Sequence, residues 1–340
     1  MQDLFTDQLV DLNDKSILVT GGTGSFGKRF IREVLTRYKP RRLVIFSRDE
    51  AKQVDMERDL PTRTHRSLRY FIGDVRDRQR LEMAMRDIDI VIHAAALKHV
   101  PVAEYNPMEC IHTNVLGAEN VVHAAIANRV SHVMALSTDK AVNPINLYGA
   151  SKLAADKIFV AANNLSGSAG TKFSVVRYGN VVGSRGSVVP LFQKLIADGV
   201  DSLPITDPRM TRFWITLPQG VRFVLSCLEM MKGGEIFVPK IPSMSMVDLA
   251  KTLAPNLPIR TIGIRPGEKL HEVLITEDDA HNTYELTDRF VIEPTLAFWC
   301  RLDIKEEIRQ LPEDFGYASN RNDWWLKPDD LEWMIRETEK

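Results

Sequence analysis

The sequence predicts an α/β fold, a doubly wound parallel sheet followed by a smaller C-terminal lobe. Three observations carry this. Short Val/Ile/Leu-rich runs alternate with longer helical patterns through about residue 178, and the runs lack strict polar alternation, as strands buried on both faces do. A glycine-rich turn, TGGTGSFG at Thr20–Gly27, directly follows the first run and opens a helix. After Gly179 the rhythm changes, with Gly, Pro and Arg punctuating shorter pieces such as GSRGSVVP, ITDPRMTRF and IRPGEK.

Strands are expected at 16–20, 42–46, 68–72, 89–93, 132–137 and 173–177, and helices between them at 26–38, 107–128 and 148–163. This βαβ rhythm implies helices on both faces of a parallel sheet, with ligands beyond the C-terminal ends of the strands. The expected division is a nucleotide-binding domain at 1–179 and a substrate lobe at 180–340 interleaved with the end of the sheet. The tail from Arg301, with Trp324, Trp325 and Trp333 among charges, is expected to pack against the body.

At 340 residues the chain can bury a large core. Lys+Arg is 44 and Asp+Glu 45, giving a net charge of −1, so no global field favours nucleic acid or a membrane surface. Cys110, Cys227 and Cys300 are far apart without metal-ligand spacing, and are expected to be free thiols in a reducing compartment, with no metal bound. No apolar run approaches the ~18 residues that cross a bilayer, and MQDLFTDQLVDLNDK has neither the basic nor the apolar region of a secretion signal. A soluble cytoplasmic protein is expected.

Gly21, Gly24 and Gly27 form G-x-x-G-x-x-G around Thr23, Ser25 and Phe26. Glycine allows a tight turn and close backbone approach to phosphate, and the free N–H groups at the helix start then hold a dinucleotide pyrophosphate, as in a Rossmann unit. An acidic residue about 20 positions beyond the last glycine would bind the ribose 2′-hydroxyl of NAD. Ser47 occupies that place, followed by Arg48 and, one helical turn on, Lys52. A hydroxyl and two cations favour a 2′-phosphate, hence NADP; the alternative is that Asp49 or Glu50 turns in to take NAD. Asp74, with Val75 at the end of the third strand, could accept from the adenine amino group. Ala94 and Ala96 in HAAALKH offer small side chains where the cofactor must lie flat.

Tyr148 and Lys152 stand four residues apart on one helix face. A lysine beside a nicotinamide cation favours tyrosinate, so Tyr148 can accept a proton from a substrate hydroxyl while Lys152 also holds the nicotinamide ribose. Thr138 can hydrogen-bond the hydroxyl being oxidised, and Asp139 with Lys140 makes a carboxyl/amine pair. Lys140 serves as a base only if its pKa falls, which partial burial with two cations nearby, Lys152 and the nicotinamide, would bring about. On charge pattern alone the competing reading is a structural ion pair.

The runs TGGTGSFGK, SRDEAKQ, HAAALKHVP, STDKAVNPINLYGASK, RYGNVVGSRGSVVP, MTRFWIT and GIRPGEKLHEV resemble the extended short-chain dehydrogenase/reductase superfamily. Within it the chain resembles the soluble inverting UDP-N-acetylglucosamine 4,6-dehydratases of pseudaminic acid synthesis, from about Lys15 to about Ile275. Retaining relatives carry Thr-Asp-Glu where this chain has Lys140, and membrane-anchored relatives replace the tyrosine that is Tyr148 here. The resemblance implies oxidation at carbon 4 with Tyr148 as base, removal of the carbon-5 proton by Lys140, loss of the 6-hydroxyl with Asp139 as acid, and return of hydride to carbon 6. The implied product is UDP-2-acetamido-2,6-dideoxy-β-L-arabino-hex-4-ulose. Lys98, Asn180, Val181, Ser184 and Arg185 are expected to meet the substrate, with Lys98 also near the cofactor. Arg212 and Arg265 are candidate phosphate clamps, since a guanidinium fork matches phosphate oxygens; Arg209 is a lesser one. Glu268 is expected to pair within its own loop, and the methionines near Met230 and Met244 to pack. A homo-oligomer, dimeric or higher and up to a hexamer, would form through the helices at 107–128 and 148–163. The rival readings are a nucleotide-sugar 4-epimerase, a retaining 4,6-dehydratase and a redox-sensing NADP-binding regulator.

Overall fold

The computed structural model describes residues 4–6, 9–184, 186–295 and 309–339. Six parallel strands build the first half: β1 (Ser16–Thr20), β2 (Arg42–Ser47), β3 (Leu68–Ile72), β4 (Ile90–His93), β5 (His132–Thr138) and β6 (Lys172–Tyr178). They lie in the order β3-β2-β1-β4-β5-β6, the arrangement of dinucleotide-binding sheets. The buried runs explain themselves: Ile17, Leu18, Val19, Leu43, Ile45, Val91 and Ile92 are fully buried, and each such side chain contributes about 1.5–3 kcal/mol by leaving water.

Beyond β6 the sheet gains Ile236–Pro239 in parallel, then Arg289–Ile292, Thr283–Glu285 and Arg309–Gln310 in antiparallel. The second half of the chain therefore completes the sheet begun by the first.

The connecting helices are α1 (Ser25–Arg37), α2 (Glu50–Asp59), α3 (Arg78–Ala84), α4 (Val100–Tyr105), α5 (Pro107–Ile111), α6 (Gly117–Ala127) and α7 (Leu147–Leu165). The single helix expected over 107–128 is instead α5 and α6 joined by a π turn at His112–Leu116. That turn holds Asn114, whose buried side chain hydrogen-bonds the Leu97 N–H at 2.8 Å, the Leu97 carbonyl at 3.0 Å and Ser151 at 2.9 Å. The π turn thus fastens the loop after β4 to α7, and such turns often mark functional sites.

A smaller lobe has its own apolar cluster, in which Val182, Phe192, Ile205, Trp214, Met244, Leu249, Leu331 and Met334 are buried. Short strands frame it: Asn180–Val181, Thr211–Ile215 and Ser243–Ser245 in one sheet, and Leu203–Ile205 paired with Ile259–Thr261. The tail packs as expected within its described part. Tyr317–Ala318 pairs with Val273–Ile275, and Pro328–Glu339 sends Leu331 and Met334 into the lobe. Met230 packs against the main core. Cys110 and Cys227 are buried free thiols; Cys300 lies outside the described residues. No helix among the described residues is long and apolar enough to cross a membrane.

Candidate active site

A cavity of about 890 Å³ runs from the glycine-rich turn, across the C-terminal ends of β1, β4 and β5, into the small lobe. It lies at the point where strand order reverses between β1 and β4, where open α/β sheets bind ligands.

At one end the backbone is shaped for phosphate. Gly21 has φ of 65°, and a Cβ there would sit 2.9 Å from the backbone of Ala94 and Ala95. At Gly27 a Cβ would meet Gly22 at 2.5 Å, so only glycine lets α1 approach β1 this closely. The N-cap of α1 is Gly24, which offers no side-chain acceptor to the first helical N–H groups. Those groups and the helix dipole suit an anion. Thr23, Ser25 and Phe26 line the same cradle, with Val75, Ala94, Ala96 and Lys98 along its floor and rim. These features fit a dinucleotide.

The end of β2 is organised around hydroxyls and cations. Ser47 Oγ lies 2.8 Å from Thr23 Oγ1. Asp49 caps α2 by accepting from the Lys52 N–H at 3.0 Å and pairs with Lys52 Nζ at 2.5 Å, so its carboxylate is committed to its own helix. Arg48 reaches Asp74 at 3.5 Å. Asp74 lines the cavity and is held by Arg76, which donates to it at 2.7 and 3.0 Å.

The candidate reacting groups meet at the centre. β5 ends at Thr138, and the tight turn Asp139–Ala141 follows, with the Thr138 side chain accepting from the Lys140 N–H. Asn146 caps α7 by accepting from the Gly149 N–H at 2.7 Å, which sets Tyr148 and Lys152 in its first turns. Thr138, Lys140, Tyr148 and Lys152 line the cavity, with Asp139 fully buried behind them. Asp139 Oδ1 accepts from Thr138 at 2.9 Å and from Lys140 Nζ at 3.0 Å, while Oδ2 has no hydrogen-bond partner among the described residues.

Before any nicotinamide charge is added, the protein's own groups push Lys140 and Tyr148 opposite to the expected directions. Burial alone would lower Lys140, but Asp139 and a second carboxylate, Glu272, outweigh it and hold the group above its ordinary value. Neighbouring anions rather than neighbouring cations govern this lysine. Burial likewise pushes Tyr148 up to about 12, with Lys140 and Thr138 opposing. Lys152 is not set against the phenol; its Nζ donates to the Leu136 carbonyl at 2.7 Å. Burial lowers Lys152, partly offset by Asp156. Asp139 is raised, chiefly by burial, with Lys140 opposing.

Glu272 was not singled out in the sequence, although it stands within GIRPGEKLHEV. It is 2% exposed and 3.3 Å from Lys140 Nζ. The missed signal was a carboxylate at the start of a short apolar strand, Val273–Ile275. Lys269 also enters the site, donating from Nζ to the Val142 carbonyl. Burial lowers it, with Glu272 and Asp139 opposing.

Of the substrate candidates, Lys98, Asn180, Val181, Ser184, Arg212 and Arg265 line the cavity; Arg185 lies outside the described residues. Arg212 is not the free clamp expected. Its guanidinium donates to the carbonyls of Thr211 at 2.8 Å, Lys269 at 2.9 Å and Leu270 at 3.1 Å, and lies 3.6 Å from Glu272. It ties the RPGEK loop down. Arg265 is 56% exposed at the rim and pairs with Glu268 at 3.7 Å, as the loop reading anticipated for Glu268. Arg209 chelates Asp207 at 2.8 and 2.9 Å and points to solvent.

The family model described as polysaccharide biosynthesis protein matches residues 17–294. A relative from Campylobacter jejuni subsp. jejuni serotype O:2, named UDP-N-acetylglucosamine 4,6-dehydratase (inverting), is 56% identical over 96% of this chain and 99% of its own. A Rickettsia canadensis relative named UDP-glucose 4-epimerase is 46% identical over 82% of this chain and 83% of its own. Among solved structures, Pen from Bacillus thuringiensis superposes with a TM-score of 0.86 at 37% identity, covering 96% of this chain and 98% of that one. With most of its length matched by the family model and a relative similar nearly end to end, the chain belongs to the polysaccharide biosynthesis protein family.

Proposed function

We propose that this protein dehydrates UDP-N-acetylglucosamine at carbons 4 and 6 with inversion at carbon 5, using bound NADP. The observation that carries the reading is Lys140, which lines the cavity with Tyr148 and Lys152, and Asp139, buried behind it at 3.0 Å. A plain dehydrogenase or epimerase needs the Tyr/Lys pair but no second acid–base couple.

The cofactor supplies the hydride acceptor at carbon 4 and the hydride donor at carbon 6. The glycine-rich turn from Gly21 to Gly27 would hold its pyrophosphate, Lys152 its ribose, and Ser47, Arg48 and Lys52 a 2′-phosphate. Support for a 2′-phosphate comes from Ser47, Arg48 and Lys52, which line the cavity at the end of β2, and from the capping of α2 by Asp49.

Tyr148, aided by Thr138, takes the proton of the 4-hydroxyl. Lys140 already opposes the burial that makes this phenol a weak acid, and the positive charge of an oxidised nicotinamide adds to it. The new ketone acidifies the carbon-5 hydrogen. One proton then serves two roles. Moving it from Lys140 Nζ to Asp139 Oδ1 leaves a neutral amine and a carboxylic acid, and burial favours protonation of Asp139. The amine takes the carbon-5 proton, the acid protonates the departing 6-hydroxyl, and the ion pair is restored. Lys98, Asn180, Val181 and Ser184 would hold the sugar nucleotide, with Arg265 at the rim and Arg212 acting through the loop it anchors.

The Rickettsia relative favours the 4-epimerase as a second reading. NMR of the product formed from UDP-N-acetylglucosamine in deuterated water separates them. A 4-keto-6-deoxy sugar carrying deuterium at carbon 5 is expected; a 4-hydroxyl epimer with its carbon-6 oxygen retained would refute the dehydratase.

We propose further that the chain works as a homo-oligomer. Support comes from Val102, Tyr105, Met108 and Leu116, which expose apolar side chains along α4, α5 and the π turn.

A further inference from the structure

We propose that Glu272 is a positioning residue for Lys140, fixing both the direction and the basicity of the amine that takes the carbon-5 proton. The inference rests on the dehydratase reading.

The geometry points to a built socket. A lysine ammonium has three N–H donors, and three acceptors from three parts of the chain surround this one: Asp139 Oδ1 at 3.0 Å, Asn180 Oδ1 at 3.3 Å and Glu272 Oε1 at 3.3 Å. Lys140 keeps 26% of its side chain exposed towards the cavity, whereas Glu272 is 2% exposed. Glu272 Oε1 lies nearer to Lys140 than to Arg212, and its Oε2 has no hydrogen-bond partner among the described residues. A carboxylate needed only to neutralise Arg212 would be expected to engage the guanidinium with both oxygens.

The backbone beneath Glu272 is fixed from behind. Its N–H donates to Ser319 Oγ at 3.0 Å, and the Ser319 N–H donates to the Glu272 carbonyl at 2.8 Å. Ser319 Oγ lies 2.7 Å from Thr211 Oγ1, which in turn lies 2.8 Å from His271 Nδ1. The C-terminal segment, which carries none of the predicted site residues, thereby holds the far wall of the catalytic centre.

The chemical consequence follows the proton. When the C5–H bond breaks, its electron pair moves into the enolate, and a new N–H bond forms on Lys140. The amine becomes an ammonium facing the Glu272 carboxylate, as it does in the resting pair, so what Glu272 adds to the rate is the placing of the amine in line with the C5–H bond. Other charged or titratable groups facing the pair are Asp139 on its own turn, Arg212 on Thr211–Ile215, Lys269 in the RPGEK loop, and Tyr148 on α7. All remain when Glu272 alone is neutralised.

The test compares Glu272→Gln, Glu272→Asp and Lys140→Met in the full-length holoenzyme. Turnover, KM for UDP-N-acetylglucosamine, the pH profile and deuterium uptake at carbon 5 are measured for each. In E272Q the proton shared by Asp139 and Lys140 is held less tightly, so both limbs of the profile move to lower pH, by about one to three units. Its kcat and deuterium uptake fall together by roughly tenfold or more, with KM changed less than about threefold. E272D recovers part of both. An E272Q profile at the parent position overturns the proposal, as does a loss confined to KM. If E272Q does not fold, Glu272→Asn, which also removes the charge, decides in the same way. Lys140→Met tests the underlying reading separately: uptake at the parent rate in that variant removes the dehydratase mechanism itself. A dead Lys140→Met beside an unshifted E272Q removes only the role of Glu272.

Discussion

The two ends of the catalytic cleft are built by opposite means. At the cofactor end one continuous stretch supplies the phosphate cradle: β1, the glycine turn and α1 follow one another from Ser16 to Arg37. At the substrate end the wall is assembled from pieces of two to five residues, Asn180–Val181, Thr211–Ile215, Val273–Ile275 and Tyr317–Ala318. These are joined by side-chain bonds such as those of Arg212 and Ser319. A local site depends on backbone shape and is sensitive to any added atom. A dispersed one depends on polar contacts between distant segments, each of modest worth.

That contrast can be broken at either end. Arg48 should act on cofactor choice through charge, without altering the cradle. Arg48→Ala is expected to weaken NADP binding roughly ten- to a hundredfold, the worth of a charge-assisted phosphate contact, and NAD by less than about twofold. Titration of both cofactors checks this, and equal losses would contradict the 2′-phosphate assignment. The dispersed end should respond more gently. Ser319→Ala leaves the buried Glu272 N–H without its acceptor, a cost of about 1–3 kcal/mol in stability, with a fall in kcat of only about a few-fold while the backbone holds its place. Thermal unfolding and steady-state kinetics read the two separately. An undiminished melting temperature would show that the tail does not brace the wall.

The same contrast explains what could be read in the sequence. β1 to β6, the glycine turn, Thr138-Asp139-Lys140 and Tyr148 with Lys152 each declare themselves within a few residues, because strand period, turn chemistry and helical spacing are local. The break in the helix at His112–Leu116 did not, since it answers to Asn114 reaching Leu97 and Ser151. Glu272 was illegible for a related reason. Nothing beside it in the chain is catalytic, and only the fold brings it to Lys140. The charge balance around Lys140 was incomplete through this omission: Lys152 and a nicotinamide point downward, whereas Asp139 and Glu272 raise it. Arg212 shows the converse, a guanidinium whose motif suggests phosphate but whose donors are taken by the carbonyls of Thr211, Lys269 and Leu270.

The central claim is that the Lys140 amine removes the carbon-5 hydrogen of a ketosugar so that water can leave. The most direct measurement is deuterium uptake at carbon 5 during reaction of UDP-N-acetylglucosamine in deuterated water, in the parent enzyme and in Lys140→Met, with NADP binding verified in both. The account predicts full uptake by the parent and a loss of roughly 10² to 10⁴ in rate for the variant, the usual worth of a general base. Uptake by Lys140→Met at the parent rate would contradict it.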